Sequence, residues 1–481
     1  MTKTPVSIVC ALVLGCTLGA GHSVAQPSIA QPSIAQQSNY APFVSDVPLV
    51  QQPMLNPEFW LQRQSDSKPL MSQSQIQAFN RSLINNNPYI IDPLAMPDTL
   101  SAKALRSYIR NTSSTPSSPR FYVDGKQLER ADFARYHANT NIDSVTDSNP
   151  VRFGLIVERT SLRTFPTADR VLNSEMDIDL DRFQETGAFP AEPVAVLHES
   201  ADGQWYLVAA YNYTAWVKRS AVAVGDKNRI RTFTQADDFI VVTGDKIETT
   251  YVPNEPRVSE VQLDMGVRLP LAPKEQVKHL THGQNSFASY IVTLPVRNDD
   301  GTLSFAQGLI PRSADVHLGY LPLTAHHLIA QGFKFLGERY GWGHDYNARD
   351  CTGFVGEIYK AFGVWMPRNS SWQGKTDYGH NWRFDKDSTE AQKREVIAQM
   401  QVGDLIYIPG HVMMYIGSYQ GQPYVIHDVK GLGYIKQNGE FYDGELNGVS
   451  VTPLLPLHLN STTSYLERTY AIKRIAQGAE Q

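Results

Sequence analysis

The order of helix and strand signals in the last third of this chain constrains its fold more than any other feature. A helix signal begins near Cys351, where apolar residues recur at Phe354, Ile358 and Phe362. This i, i+4, i+8 spacing is typical of the buried stripe of a helix, with Cys351 near the first turn. Strand signals come only afterwards. The sequence therefore predicts an α+β domain, which we assign to residues 321–478.

The strand signals of this domain predict a hairpin followed by a further strand. Two apolar runs, 404–408 and 411–416, flank the pair Pro409-Gly410. Apolar runs around a Pro-Gly turn are typical of paired antiparallel strands. A third apolar run, 424–429, is predicted to be the next strand.

Upstream, two regions have short alternating strand signals, and each is predicted to be a small barrel. They cover residues 149–230 and 231–320. Before them, residues 38–148 are predicted to be an irregular module with helices. One helix should begin after Ser72, which has the spacing of a capping box, and another after Ser101.

The N-terminus has the pattern of an export signal. Lys3 precedes an apolar run that ends near Leu18, and Ser23-Val24-Ala25 offers a cleavage site, so residues 1–25 are predicted to be a signal peptide. The residues before Cys16 also resemble a bacterial lipobox, in which that cysteine would be acylated. Both routes place the protein in the periplasm or cell envelope, and the second adds an outer-membrane tether. Residues 26–37 are predicted to be a low-complexity linker.

The charge balance argues against nucleic acid as a partner. Forty-three basic residues against 48 acidic residues give a formal net charge of −5. No run rich in lysine and arginine is present in the sequence, so nothing resembles a strip for phosphate backbones.

Cys351 is the best candidate for a nucleophile. Of the three cysteines, Cys10 and Cys16 lie in the predicted leader, so Cys351 would be the one thiol left in the mature chain. Such a thiol is a buried packing residue, a pairing site or a nucleophile. Its predicted place at a helix N-terminus should favour the thiolate through the helix dipole.

Two histidines are candidates for the partners of the thiol. His411 begins a predicted strand directly after a tight turn, where its ring could act as the base. His427 lies in the next strand and would come beside His411 if the strands pair antiparallel, which would make it the orienting group. Taken alone, each residue also fits a structural role. No pair of residues has the short spacing of a zinc site, so no metal is predicted.

Together these motifs resemble the NlpC/p60 family of cell-wall cysteine peptidases. The resemblance rests on four segments of the chain: Tyr340-Gly341-Trp342-Gly343, Arg349-Asp350-Cys351-Thr352-Gly353-Phe354, Phe362 to Ser370, and Gly403 to Gly417. The upstream regions are similar to members with a helical N-terminal stabilising segment and two bacterial SH3-like barrels. Relative to the family pattern, His344 replaces a commoner glycine, Thr352 replaces serine, and Asn369 replaces an aspartate found in some relatives.

The resemblance implies a peptidoglycan D,L-endopeptidase that cuts between γ-D-glutamate and meso-diaminopimelate. It makes Cys351 the nucleophile, His411 the base and His427 the orienting residue. It also places the hydroxyl of Tyr340 near the oxyanion. The resemblance further implies a substrate groove, which would be lined by Asp350, Asn369 and Ser370.

Two alternatives remain open at this point. The same scaffold could perform another acyl transfer, such as that of an N-acetylmuramoyl-L-alanine amidase, or the chain could bind the wall without catalysis. The expected partners are stem peptides or muropeptides of peptidoglycan. No cofactor is expected, and a monomer is expected.

Overall fold

Serine caps begin two of the helices near the N-terminus, as the sequence predicts. The structure, a computed structural model, describes residues 43–64 and 68–476, so the predicted leader, Cys16 and the linker 26–37 lie outside the described residues. Ser72 forms a reciprocal capping box with Gln75, and Ser101 accepts a hydrogen bond from the backbone N–H of Ala104. Four α-helices of this region are Pro57–Leu61, Gln73–Asn86, Ala102–Thr112 and Arg130–Asn139.

A seven-stranded antiparallel sheet follows in the region of the first predicted barrel. Its core contains Trp205 and Trp216, and both are buried. We name its edge strand Gln184–Ala188 the docking strand. In spatial order the strands are Val222–Gly225, Arg152–Ile156, Pro193–Glu199, Trp205–Ala209, Thr214–Lys218, Thr160–Arg163 and Gln184–Ala188.

The next region, which starts with a helix at Lys227–Thr234, is built from several small ladders. A turn at 298–301 joins its two longest strands, Ser289–Arg297 and Leu303–Pro311. Its apolar residues share one core with the seven-stranded sheet. The assignment of a second closed barrel to 231–320 stays a prediction, because the described strands pair as separate ladders. The other ladders are Arg268–Pro270 with Phe239–Val242 and Val316–Leu318, Lys246–Glu248 with Gln262–Asp264, and Leu280–Thr281 with Gln284–Asn285.

The C-terminal region contains helices packed on an antiparallel sheet, which is the predicted α+β class. The hairpin around Pro409-Gly410 is confirmed, and the following strand is longer than predicted. The sheet has six strands in the spatial order His380–Arg383, Ala471–Arg474, Leu405–Ile408, His411–Tyr419, Gln422–Ile435 and Phe441–Pro453. The helices are Ala325–Phe333, Cys351–Lys360, Ser370–Lys375, Glu390–Ala398 and Tyr465–Arg468.

The helix Cys351–Lys360, which we name the cysteine helix, is fixed on the sheet by its apolar stripe. Phe354 and Ile358 are fully buried, in one core cluster with the sheet residues Met414 and Ile426. Burial of each such side chain contributes about 2 kcal/mol. Phe362 was predicted to continue the stripe, but the helix ends at Lys360 and Phe362 is buried in the turn that follows.

Three short ladders and the connections complete the described chain. They pair Thr99–Ser101 with Ser148–Pro150, Phe121–Tyr122 with Val171–Leu172, and His458–Asn460 with Thr463–Ser464. From Asp46 onward the chain forms one compact unit. Among the described residues, no helix combines the length and the apolar character needed to cross a bilayer.

Candidate active site

The thiol of Cys351 lies at the N-terminus of the cysteine helix, where it meets the sheet. Cys351 is the first residue of the helix, so its own N–H has no acceptor within the helix. The side chain is 7% exposed, and the backbone N–H of Val412 lies within hydrogen-bond reach of the sulfur. The start of the histidine-bearing strand therefore adjoins the thiol.

A chain of hydrogen bonds links His411, His427 and Thr452. Nε2 of His411 lies 2.8 Å from Nδ1 of His427, and Nε2 of His427 lies 2.9 Å from Oγ1 of Thr452. If His411 is to accept a proton at Nδ1, its hydrogen must be on Nε2 and be donated to His427. His427 then carries its own hydrogen on Nε2 and donates it to Thr452. The partners are thus compatible with a base whose free nitrogen is Nδ1.

Burial favours the neutral form of both the thiol and the base. It raises the pKa of Cys351 to about 12, and the carboxylate of Asp350 adds to that shift. Burial also lowers the pKa of His411 to about 4. The sequence analysis predicted that the helix dipole would favour the thiolate. That prediction is wrong, because burial raises the pKa of the thiol instead.

Asp350 holds the active-site loop and the helix together. Its Oδ1 accepts hydrogen bonds from the backbone N–H of Gly353, from the hydroxyl of Thr352 and from Arg368. Its Oδ2 accepts from the backbone N–H of Gly343 and from Arg368 at 2.6 Å. These partners, with the guanidinium of Arg368 the largest influence that opposes burial, hold the pKa of Asp350 well below its usual range. The Asp350 carboxylate therefore makes its hydrogen bonds within the protein. Its direct contact with a substrate stays a prediction.

The other predicted site residues lie near the thiol or on a neighbouring segment. Tyr340 is 8% exposed, and burial and the nearby Cys351 raise the pKa of its hydroxyl well above its usual value. Asn369 and Ser370 begin the helix Ser370–Lys375. The structure thus brings Cys351, His411, His427 and Tyr340 to one site, with Asn369 and Ser370 on the neighbouring segment.

The seven-stranded sheet contributes residues that sequence reasoning missed. Glu185 of the docking strand accepts hydrogen bonds from the hydroxyls of Thr164 and Tyr213. The Tyr213 ring stacks on Trp372 at 5.5 Å, and its hydroxyl lies beside Asn369. A half-buried carboxylate is therefore placed next to the segment that begins with Asn369. No spacing in the sequence links these residues, because they meet only through the packing of the sheet on the C-terminal domain.

The fold and the site together define a class. A cysteine at a helix N-terminus, a histidine at the start of the adjacent strand and a third polar group that orients the histidine are the parts of a thiol-dependent acyl-transfer enzyme. Comparison with family models identifies two parts of the chain. Residues 337–451 match the NlpC/P60 family, and residues 170–218 match an SH3 domain of the SH3b1 type. The chain thus contains an NlpC/P60 domain, whose family is one of cysteine peptidases, and an SH3b domain.

Known relatives agree with this assignment. The chain is 26% identical over 254 residues to the gamma-D-glutamyl-L-lysine dipeptidyl-peptidase of Bacillus cereus (strain ATCC 10987 / NRS 248). The match covers 48% of this chain and 65% of that protein, a little under two thirds of its length. The fold is similar to that of an NlpC/P60 endopeptidase from Photobacterium damselae subsp. piscicida, with a TM-score of 0.68 and 16% identity over 86% of this chain and 95% of the other.

Proposed function

We propose that this protein is a peptidoglycan endopeptidase that cleaves stem peptides between γ-D-glutamate and meso-diaminopimelate. The observation that carries the proposal is the hydrogen-bonded pair of His411 and His427 beside a buried thiol at a helix N-terminus. The NlpC/P60 assignment supports a cell-wall substrate. It also supports hydrolysis over binding alone, because the three side chains needed for the chemistry are present.

The reaction follows from the protons that Cys351, His411 and His427 carry in their neutral forms. His411 takes the thiol proton at Nδ1 while Sγ of Cys351 attacks the γ-carbonyl carbon of D-glutamate. The N–H of Cys351 and the hydroxyl of Tyr340 stabilise the oxyanion that forms. His411 then gives the proton to the leaving amine, and the C–N bond breaks to leave a thioester. A water, deprotonated by His411, attacks the thioester, which releases the γ-carboxylate and restores the thiol.

We further propose that the enzyme prefers peptides with a free N-terminal amine. Asn369 lacks the negative charge that would hold an ammonium group, but the carboxylate of Glu185 lies on the docking strand, close to Asn369 through Tyr213. An ammonium beside that carboxylate would form a charge-assisted hydrogen bond. The name of the Bacillus cereus relative, a dipeptidyl-peptidase, is consistent with removal of an N-terminal dipeptide.

Mass spectrometry of the products tests the proposal. The chain from residue 38 is incubated with L-Ala-γ-D-Glu-meso-diaminopimelate, with the L-lysine analogue and with N-acetylated forms of both. We expect release of L-Ala-γ-D-Glu from the free peptides by the wild type and by neither Cys351→Ala nor His411→Ala. Tyr340→Phe should be slower but active, since one oxyanion donor is worth ~3 kcal/mol.

The variant Glu185→Gln tests the amine site separately. It should raise KM for the free peptide about tenfold, as expected for loss of about 1.4 kcal/mol of binding, and leave the acetylated peptide unchanged. Glu199→Gln is the matched control, because Glu199 lies in the same sheet and pairs with Arg219 instead. Cleavage of a disaccharide-linked peptide at its muramoyl–L-alanine bond would instead indicate an amidase, and binding without any cleavage would contradict the enzymatic proposal.

A further inference from the structure

His344 occupies a tight space between the seven-stranded sheet and the cysteine helix. The residue is 4% exposed and its backbone has a φ of +66°. A Cβ atom added to Gly187 of the docking strand would lie 2.9 Å from Cβ of His344, and one added to Gly353 would lie 2.6 Å from its Nε2. The imidazole thus fits only because both of its neighbours are glycine. It fills the junction between the two domains.

The ring also forms hydrogen bonds with the docking strand on one side and with the cysteine helix on the other. The backbone N–H of Gly187 donates to Nδ1 at 3.1 Å, so Nδ1 is an acceptor. Nε2 must then carry the hydrogen, which it donates to Oε1 of Glu357 at 3.0 Å. The other oxygen of Glu357 accepts from the buried Arg349 at 2.6 Å. The neutral imidazole therefore joins the docking strand to a fixed carboxylate on the cysteine helix.

The positions that His344 joins lie close in sequence to the groups that act on the substrate. Gly187 is two residues from Glu185, about 7 Å along an extended strand. Gly353 is two residues from Cys351, in the first turn of the cysteine helix. The His344 ring is therefore one of the contacts that set the distance between the carboxylate and the thiol. The ring itself makes no contact that the reaction needs.

We propose that His344 is a positioning residue that fixes the spacing between Glu185 and Cys351. This spacing selects peptides with a free N-terminal amine in which one dipeptide lies between that amine and the scissile bond. The inference rests on the proposed function, because it assumes that Glu185 binds the amine. His344 is not alone at this junction. Arg368 donates to Thr186 of the docking strand and to Asp350 and Thr352 at the start of the cysteine helix, and Gln184 donates to the carbonyl of Gly343. The His344 ring is the contact that fills the space between Gly187 and Gly353.

Kinetics of His344→Phe in the full chain test the inference. Phenylalanine keeps much of the volume and loses both hydrogen bonds. We expect KM for L-Ala-γ-D-Glu-meso-diaminopimelate to rise about tenfold, the loss expected for one or two buried hydrogen bonds, with kcat changed less than about threefold. The preference for the free over the N-acetylated peptide should fall by the same factor. His344→Gln, which can still donate to Glu357, should recover part of the loss.

A double-mutant cycle shows whether His344 acts through Glu185. In the Glu185→Gln background, His344→Phe should change KM less than about twofold, because the amine contact is already lost. The matched control is His198→Phe, since His198 is a half-buried histidine of the same sheet that bonds the carbonyl of Asn141. It should lower thermal stability without changing the preference.

Gly187→Ala gives an independent test if His344→Phe does not fold. Its added Cβ presses on the His344 ring and should raise KM in the same way. Unchanged KM and unchanged preference in folded variants would overturn the inference, and so would additive effects in the cycle. Absence of cleavage by the wild type would instead overturn the proposed function, so the two failures are distinguishable.

Discussion

At the scale of single residues, the neutral state of the thiol and the imidazole is the main departure from what the sequence predicts. The helix N-terminus was correctly located, but the burial of Cys351 could not be read from its position in the chain. Cys351 is buried by Val412 and the neighbouring strands, which lie about 60 residues further along the chain. Proton transfer is therefore expected to accompany attack on the substrate, since no stable ion pair precedes it.

This state predicts a characteristic pH dependence. Because the pKa of Cys351 is raised to about 12, the alkylation rate with iodoacetamide should rise continuously from about pH 6 to about pH 10. Because the pKa of His411 is lowered to about 4, kcat/KM should fall only as the pH drops towards that value and His411 becomes protonated. Stopped-flow alkylation and a pH–rate profile measure both. A plateau of alkylation below pH 7 would show a preformed thiolate and contradict this account.

Thr452 is a second residue-scale prediction. In the tautomer that the reaction requires, its hydroxyl accepts the hydrogen on Nε2 of His427, which leaves Nδ1 of His427 to accept from His411. Thr452→Val keeps the shape of the side chain but lets His427 adopt the wrong tautomer. We expect kcat to fall about tenfold, equivalent to about 1.4 kcal/mol of transition-state stabilisation, with KM nearly unchanged. Thr452→Ser retains the hydroxyl and should stay close to wild type; equal loss in the serine and valine variants would refute the role.

At the scale of elements, Asp350 couples the cap of the cysteine helix to the active-site loop. Asp350→Asn should lower the free energy of unfolding by about 3 kcal/mol, because it leaves the buried guanidinium of Arg368 without its partner. Since the pKa of Asp350 is depressed in the folded state, this stabilisation is present above the pKa of the unfolded carboxyl. It is lost as the pH falls towards the folded value. Urea denaturation of the two proteins measures the difference.

The matched control for this variant is another helix cap. Asp226 caps the helix Lys227–Thr234 through the backbone N–H of Arg229. Asparagine is an equally good capping residue, so Asp226→Asn should cost less than about 0.5 kcal/mol. Equal costs at the two positions would mean that Asp350 is only a cap.

The elements near the catalytic residues were predictable because their signals are local. The Pro409-Gly410 turn fixed the hairpin register, and that register placed His411 within reach of His427 on the next strand. The helix Arg130–Asn139 was missed, because its one buried residue, Tyr136, gives no apolar stripe. The strand Gln422–Ile435 runs further than its apolar stretch, since its later part is held by pairing with Phe441–Pro453.

At the scale of the whole molecule, the sequence predicted the types of domain but not how they meet. The candidate amine site depends on a junction in which Glu185, Gly187 and His344 come together from segments about 160 residues apart in the chain. His344 was noted in the sequence only as a departure from a pattern. Its two glycine neighbours gave no signal of their own, because a glycine required by a neighbouring ring looks like any other glycine. Packing of the two domains was needed to find the role.

Trapping the covalent intermediate tests the central claim most directly. The enzyme is mixed with L-Ala-γ-D-Glu-meso-diaminopimelate, quenched with acid within the first turnover and digested for peptide mapping by mass spectrometry. The account predicts an L-Ala-γ-D-Glu acyl group on the peptide that contains Cys351, and no adduct in the Cys351→Ala protein. Release of the dipeptide by Cys351→Ala, or an acyl group on a different residue, would contradict the account.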